Sequence, residues 1–162
     1  MFQAGPVKVV MTHESHYPAL WDILKGWGSF WADKDHVKTL DHFRTWYTAT
    51  AKDSLTGMDS GQVIGAAYLD YIRPGHFAQV NIFKRRGYLN PRMISRISRD
   101  ALPYWFKKYD LELLLGITRQ KSAIKLAKRI GFKKTGTFPK WKKVNGEWNT
   151  YTVLTFLKEQ LK

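Results

Sequence analysis

"ITRQKSAIKLAKRIGFKKTG" occupies residues 117–136. An apolar run crosses four polar residues and then reads as a short basic helix, "SAIKLAKRI" (122–130), which Gly131 stops. Just before it, "LELLLGI" (111–117) is a wholly apolar strand, of the kind buried on both faces in a sheet covered by helices. The exposed face of the helix is almost all lysine and arginine. What that face looks onto depends on the elements around it.

Downstream, strands near 133–143 and 148–157 are joined by Asn145–Gly146, the strongest short hairpin signal. Upstream, "NPRMISRISRDALPYWFKKYD" opens with Asn90 as N-cap and Pro91 at the first helical position. Ile94, Ile97, Ala101 and Trp105 form its buried stripe, and Arg92, Arg96 and Arg99 share another face. Turn signals at "MDSG" and "RPG" separate strands near 53–58, 62–72 and 76–83, the last two a hairpin. "VKVVMT" (7–12) is a first strand. Between it and residue 53, Leu20, Ile23, Leu24, Trp27 and Trp31 recur at helical spacing, as do Val37, Leu40, Phe43 and Tyr47. These give two helices, with "GWGSFWADKD" as a broken connection weakened by Gly26 and Gly28. The order is β, α, α, three strands, α, β, α, β, β, a mixed α/β pattern. No repeat or linker interrupts it, so residues 1–162 read as a single domain.

The chain has no cysteine, which excludes disulfides, thiolate metal sites and cysteine nucleophiles. No segment approaches the roughly 20 apolar residues of a membrane span and no leader pattern is present, so a soluble cytoplasmic protein is expected. The formal net charge is +14. Residues 84–143 hold 18 of the 27 Lys and Arg and only three acids, Asp100, Asp110 and Glu112. So lopsided a block points to a polyanion docking on the C-terminal half.

The element order and two stretches resemble the GNAT superfamily of acyl-CoA-dependent N-acyltransferases, over nearly the whole chain. "QKSAIKLAKRIGFKKTG" is similar to the family's strand-to-helix segment: Gly131, Phe132 and Gly136 match its ending, and Ala123 matches the alanine near the helix start. "VNIFKRRGYLNP" (80–91) sits where the family has its phosphate-binding loop. The family loop reads Gln/Arg-x-x-Gly-x-Gly/Ala; Lys84, Gly87 and Leu89 stand at those places, so only the middle glycine is kept. The compact, divergent sequence is similar to GNAT proteins of bacteria and phages. The resemblance implies a GNAT-like fold with a central mixed sheet flanked by helices, acetyl-CoA as acyl donor and an amine acceptor.

Physical chemistry supports the loop independently. Unpaired N–H groups at a helix N-terminus and a glycine that allows close backbone approach hold phosphate oxygens. Lys84, Arg85, Arg86, Gly87, Tyr88, Leu89 and Asn90 supply such a loop. Coenzyme A brings about four negative charges. The resemblance implies that its pantetheine arm pairs with the strand around Val80–Ile82, that Gln120 bonds this arm where relatives carry asparagine, and that Lys121, Lys125 and Lys128 face the 3′-phosphate. A solvated helix face is the plainer alternative for each of these lysines.

Amide formation from a thioester needs close positioning, proton removal and stabilisation of the oxyanion. A backbone N–H at Ile82 or Asn81 is expected to polarise the carbonyl. His76 is the best candidate for the base, since histidine titrates in the useful range, beside the plainer reading of a hairpin histidine in the "RPGH" turn with no chemical role; Glu112 and Asp70 are weaker choices. The tyrosine acid of many relatives is replaced by Ala127, which a leaving thiol of pKa near 8.5 tolerates. "HESH" (13–16), and His36 with His42, lack metal-ligand spacing, so no metal is expected. In the family the acceptor pocket lies between the first two helices and the last hairpin, here rich in Trp27, Phe30, Trp31, Trp46 and Tyr47, with Trp141 and Trp148 opposite. The alternative function is a catalytically degenerate protein that binds nucleic acid or an acidic partner. Arg92, Arg96 and Arg99, with Lys140, Lys142 and Lys143 beside Trp141, would then contact phosphates and stack bases.

Overall fold

In the computed structural model, residues 2–4, 7–26, 37–88, 91–144 and 146–161 are described, residues 2–4 and 91–99 by their backbone alone. Two short strands open the chain, β1 (Phe2–Ala4) and β2 (Val7–Met11), followed by helices α1 (Tyr17–Lys25) and α2 (Leu40–Thr50). Three strands come next: β3 (Lys52–Asp59), β4 (Gln62–Arg73) and β5 (Phe77–Lys84). Then α3 (Pro91–Tyr109), β6 (Leu113–Thr118), α4 (Lys121–Ile130), β7 (Lys133–Val144) and β8 (Glu147–Leu157) complete the order. The strands form one eight-stranded mixed sheet in the order β1-β2-β3-β4-β5-β6-β8-β7. Every neighbouring pair is antiparallel except β5 and β6, which run parallel.

Local chemistry sets the ends of the helices. Thr39 Oγ1 accepts the His42 N–H (3.2 Å) and caps α2. Gly131 ends α4 in the left-handed region at φ 117°, where its N–H and that of Phe132 close on the carbonyls of Ala127 and Lys128. A Cβ at that position would also lie 2.9 Å from the Phe156 ring.

Two apolar layers cover the sheet. On one face Leu55, Val80, Leu114 and Phe156 pack with Leu102, Trp105 and Phe106 of α3 and Ile130 of α4. On the other, Ala66, Tyr68 and Phe83 pack under Leu20 and Leu24 of α1 and Phe43, Trp46 and Tyr47 of α2. A chain of hydroxyls, buried at Tyr47, Ser54 and Thr56 and partly exposed at Thr12, crosses from helix to sheet. Tyr47 bonds Ser54 (2.6 Å), Thr12 donates to Ser54 (2.7 Å), and Thr12 meets Thr56 (2.8 Å). Mutual pairing is what makes these buried polar groups tolerable.

The sequence pattern places every element within a few residues, except that β1 is additional. One expectation needs correction. The apolar strand was expected to be buried on both faces, yet along β6 only Leu114 is buried and its neighbours are partly exposed. Helix α1 packs over β4 and β5. Ala101 and Trp105 lie in the core. The Asn90 cap, the stripe residues Ile94 and Ile97, the faces of Arg92, Arg96 and Arg99, and the helical reading across Trp27 and Trp31 fall outside the described residues or side chains.

Candidate functional site

Strands β5 and β6 pair only over three residues, Phe77–Gln79 against Leu113–Leu115. At the closed end the His76 carbonyl accepts the N–H groups of Glu112 (2.8 Å) and Leu113 (3.2 Å). Beyond Gln79 the strands part while β5 stays paired with β4 as far as Lys84. The opening is a cleft of about 440 Å³ between Val80, Ile82 and Lys84 on β5 and Gly116 and Thr118 on β6. Its further wall is α4, through Gln120, Ser122, Ala123, Lys125, Leu126 and Arg129.

Strand alternation decides which main-chain groups face this opening. The Arg85 N–H donates to Ile64 O (2.8 Å) on the β4 side, whereas His76 bonds on the β6 side. With a period of two, the N–H and C=O of Val80, Ile82 and Lys84 point to the β6 side and those of Asn81 to β4. Of the two positions expected to polarise a carbonyl, Ile82 is therefore the one on the cleft edge. Asn81 turns its side chain to the α1–α2 face. There Gln79 Nε2 reaches Asn81 Oδ1 at 3.5 Å, and Asn81 Nδ2 is buried with no partner among the described residues.

At the open end the chain turns sharply after β5. The Tyr88 N–H donates to Arg85 O (3.3 Å), and Gly87 takes φ 71°, a conformation that favours glycine. Lys84 Nζ donates to Tyr88 O (2.9 Å) and straps the turn, while Arg85 reaches back to Gln62 Oε1 (3.4 Å). Leu89 and Asn90 lie outside the described residues. Across the cleft α4 begins after Gln120, whose side chain makes no cap bond, and its first turn holds no acid. The N-terminal dipole is thus left for an anion. The ionisable groups among the described lining residues are Lys84, Lys125 and Arg129, all cationic.

The structure gathers part of the expected site. Val80, Ile82, Lys84, Gln120 and Lys125 line the cleft, and Lys121 and Lys128 stand outside the lining. Arg129, Ser122 and Ala123 line it too; the helical period from Lys125 was the available signal for Arg129. His76 needs correction. It is exposed in the β4–β5 turn at the closed end. Six residues of strand, about 20 Å, separate it from Ile82. Glu112 is engaged by Lys158 Nζ (3.0 Å), and Asp70 Oδ1 accepts the Tyr71 N–H (2.8 Å). Trp46 and Tyr47 are core residues, whereas Trp141 and Trp148 are exposed. His13 and His16 cap a short turn, His13 N–H donating to His16 Nδ1 (3.1 Å). Among the described residues no three His, Cys, Asp or Glu are grouped to hold a metal, and no helix is long and apolar enough to cross a membrane.

No protein-family model and no curated protein matches the sequence. Solved structures do match in fold. The ribosomal-protein-S5-alanine acetyltransferase of Vibrio fischeri superposes with a TM-score of 0.80 at 16% identity, covering 99% of this chain and 98% of that one. Spermidine N-acetyltransferase from Vibrio cholerae, in complex with CoA and spermine, gives 0.80 at 14%, covering 96% and 98%. A GNAT-family acetyltransferase from Bacillus anthracis gives 0.74 at 16%, covering 98% of each chain. The fold is that of the GNAT acetyltransferases.

Proposed function

We propose that this protein is an acetyl-CoA-dependent N-acetyltransferase. The observation that carries the reading is the parting of β5 from β6. It leaves a strand edge beside a cleft whose described ionisable lining is wholly cationic. A strand edge suits a peptide-like arm, and cations with a helix N-terminus suit phosphates. The Vibrio cholerae neighbour, crystallised with CoA and spermine, supports the same reading.

The main-chain N–H groups of Lys84, Arg86 and Gly87, with Leu89 and Asn90 next in sequence, hold the diphosphate, since those of Arg85 and Tyr88 are taken by Ile64 O and Arg85 O. Lys84, Arg85 and Arg86 add long-range attraction. The Val80–Ile82 edge pairs with the pantetheine amides, and Gln120 bonds the same arm from the other wall. Lys125 and Arg129 take the 3′-phosphate. Acetyl-CoA supplies a thioester whose carbonyl an amine attacks. The Ile82 N–H donates to the oxygen as it gains charge, a contribution worth about 3 kcal/mol at comparable sites. Ala127 supplies no proton, and a thiol of pKa near 8.5 leaves without a donor. The amine's proton departs to water. The acceptor is an amine, and residues 1–162 act as one catalytic domain.

Thermal denaturation with acetyl-CoA tests the proposal. A site with a dissociation constant of about 10 μM raises the melting temperature by several degrees at about 1 mM ligand. No shift with either acetyl-CoA or CoA would reject the cofactor, and acyl transfer with it.

A further inference from the structure

The β7–β8 hairpin carries a surface feature that the cleft does not use. The last register pair between β6 and β8 is Thr118 with Thr152, so residues 147–151 and their β7 partners project past β6 at the open end of the cleft. Arg119 Nη1 donates to Asn149 Oδ1 (3.2 Å) and ties the projection to the cleft rim.

Three large rings stand exposed on it: Phe138 at 36%, Trp141 at 46% and Trp148 at 56%. Phe138 and Trp141 stack with centroids 4.5 Å apart and planes at 21°. Residues three apart in a regular strand point to opposite faces. Here the ladder slips between Phe138 and Lys142, and Lys140 adopts φ 49°, which is unfavourable for a residue with a Cβ. The backbone departs from regularity where the rings meet, yet the stack is not buried. Lys143 Nζ lies 5.2 Å from the centre of the Trp148 ring. Lys133, Lys134, Lys140, Lys142 and Lys143 fall within β7, which has no acid, and Glu147 is the one acid on β8.

We propose that the projecting part of this hairpin is a docking platform for single-stranded nucleic acid beside the cleft mouth. The lysines complement a phosphate backbone, and the outward ring faces complement unpaired bases. An acidic peptide would use the charge and leave the rings idle; a duplex hides its base faces. The platform stands independently of acyl transfer.

The test is fluorescence anisotropy of a labelled oligo(dT) of about 15 nucleotides, at about 50 mM salt, with binding expected on the order of 10 μM. Trp141→Ala weakens binding at least fivefold, roughly what loss of one stacked base costs. Replacing Lys140, Lys142 and Lys143 together with glutamine makes the slope of log affinity against log salt shallower by about two. Circular dichroism and the acetyl-CoA melting shift should remain those of the parent, since these side chains are exposed and outside the cleft. Absence of binding up to about 100 μM, the weak limit of the non-specific range, overturns the platform. So does equal binding by Trp141→Ala, or equal displacement by poly-glutamate at matched charge. Anisotropy reads the hairpin and the melting shift reads the cleft, so either reading can fail alone.

Discussion

Asp53 concentrates more unfavourable features than any other described side chain. It sits at φ 47°, and its side chain is 1% exposed. Its Oδ1 receives Lys108 Nζ (2.7 Å) and the Tyr104 hydroxyl (3.1 Å), whereas Oδ2 is buried with no partner among the described residues. The Trp105 indole N–H donates to its carbonyl (3.2 Å), so this one residue links β3 to α3. The lysine is 41% exposed, which makes the pair asymmetric. Losing the aspartate charge returns Lys108 to water; losing the lysine leaves a carboxylate dry. Asp53→Asn, which also suits left-handed backbone, is expected to cost about 1 kcal/mol. Lys108→Met should cost at least about 2 kcal/mol. Urea unfolding midpoints measure both, and equal losses would contradict this ordering. Gly87 gives a second prediction of this scale. A Cβ there meets nothing within 4 Å among the described residues, and the φ of 71° is what resists substitution. Gly87→Ala should fold normally and bind CoA about fivefold more weakly by calorimetry, because about 1 kcal/mol of strain is released by moving the turn.

Helix α4 shows what local sequence can reveal about a site. Its Gly131 stop, its basic face and the strand before it are all short-range signals; the stop, the face and the strand's position hold, and the strand's burial on both faces does not. Lys121, Lys125 and Arg129 recur every four residues on one row of the helix, so which of them matter depends on position along the axis. Lys125 and Arg129, one turn apart, line the cleft, and Lys121 does not. Lys125→Gln and Arg129→Gln are each expected to weaken CoA two- to fivefold, as for exposed charge pairs, and to affect dephospho-CoA less. Lys121→Gln should change neither. Equal effects at all three positions would mean only a diffuse basic field. The cleft itself was less legible. That β5 and β6 separate after three residues depends on pairing between segments 36 residues apart, which no local pattern encodes. His76 misled for the same reason. Its chemistry was suitable, but its place in the turn set it at the closed end of the strand. The Phe138–Trp141 stack was hidden by a slip in the ladder, since alternation assigns those rings to opposite faces.

At the scale of the whole molecule, charge and core divide the work. The cationic cleft, α4 and the hairpin come from the C-terminal half. The face opposite α3 is an aromatic layer in which Tyr47 and Tyr68 lie 5.6 Å apart between ring centres. Burial pushes both phenols above their ordinary value of 10.0. For Tyr47 hydrogen bonds from Ser54 and Thr12 oppose the rise; for Tyr68 the neighbouring Tyr47 and Asp70 add to it. Below pH 10 the phenols are protonated in folded and unfolded chains alike, and their contribution to stability is fully present. As the pH rises past 10, the unfolded chain releases these protons and the folded chain holds them, so stability falls. The melting temperature should therefore drop steeply above about pH 10, and Tyr68→Phe should flatten that drop while changing little near neutrality. Tyr47→Phe removes the 2.6 Å bond to Ser54 as well, so it should lower stability at every pH. A parallel alkaline decline in Tyr68→Phe and the parent would show that Tyr68 ionises without cost, and that the aromatic layer is wetter than its packing implies.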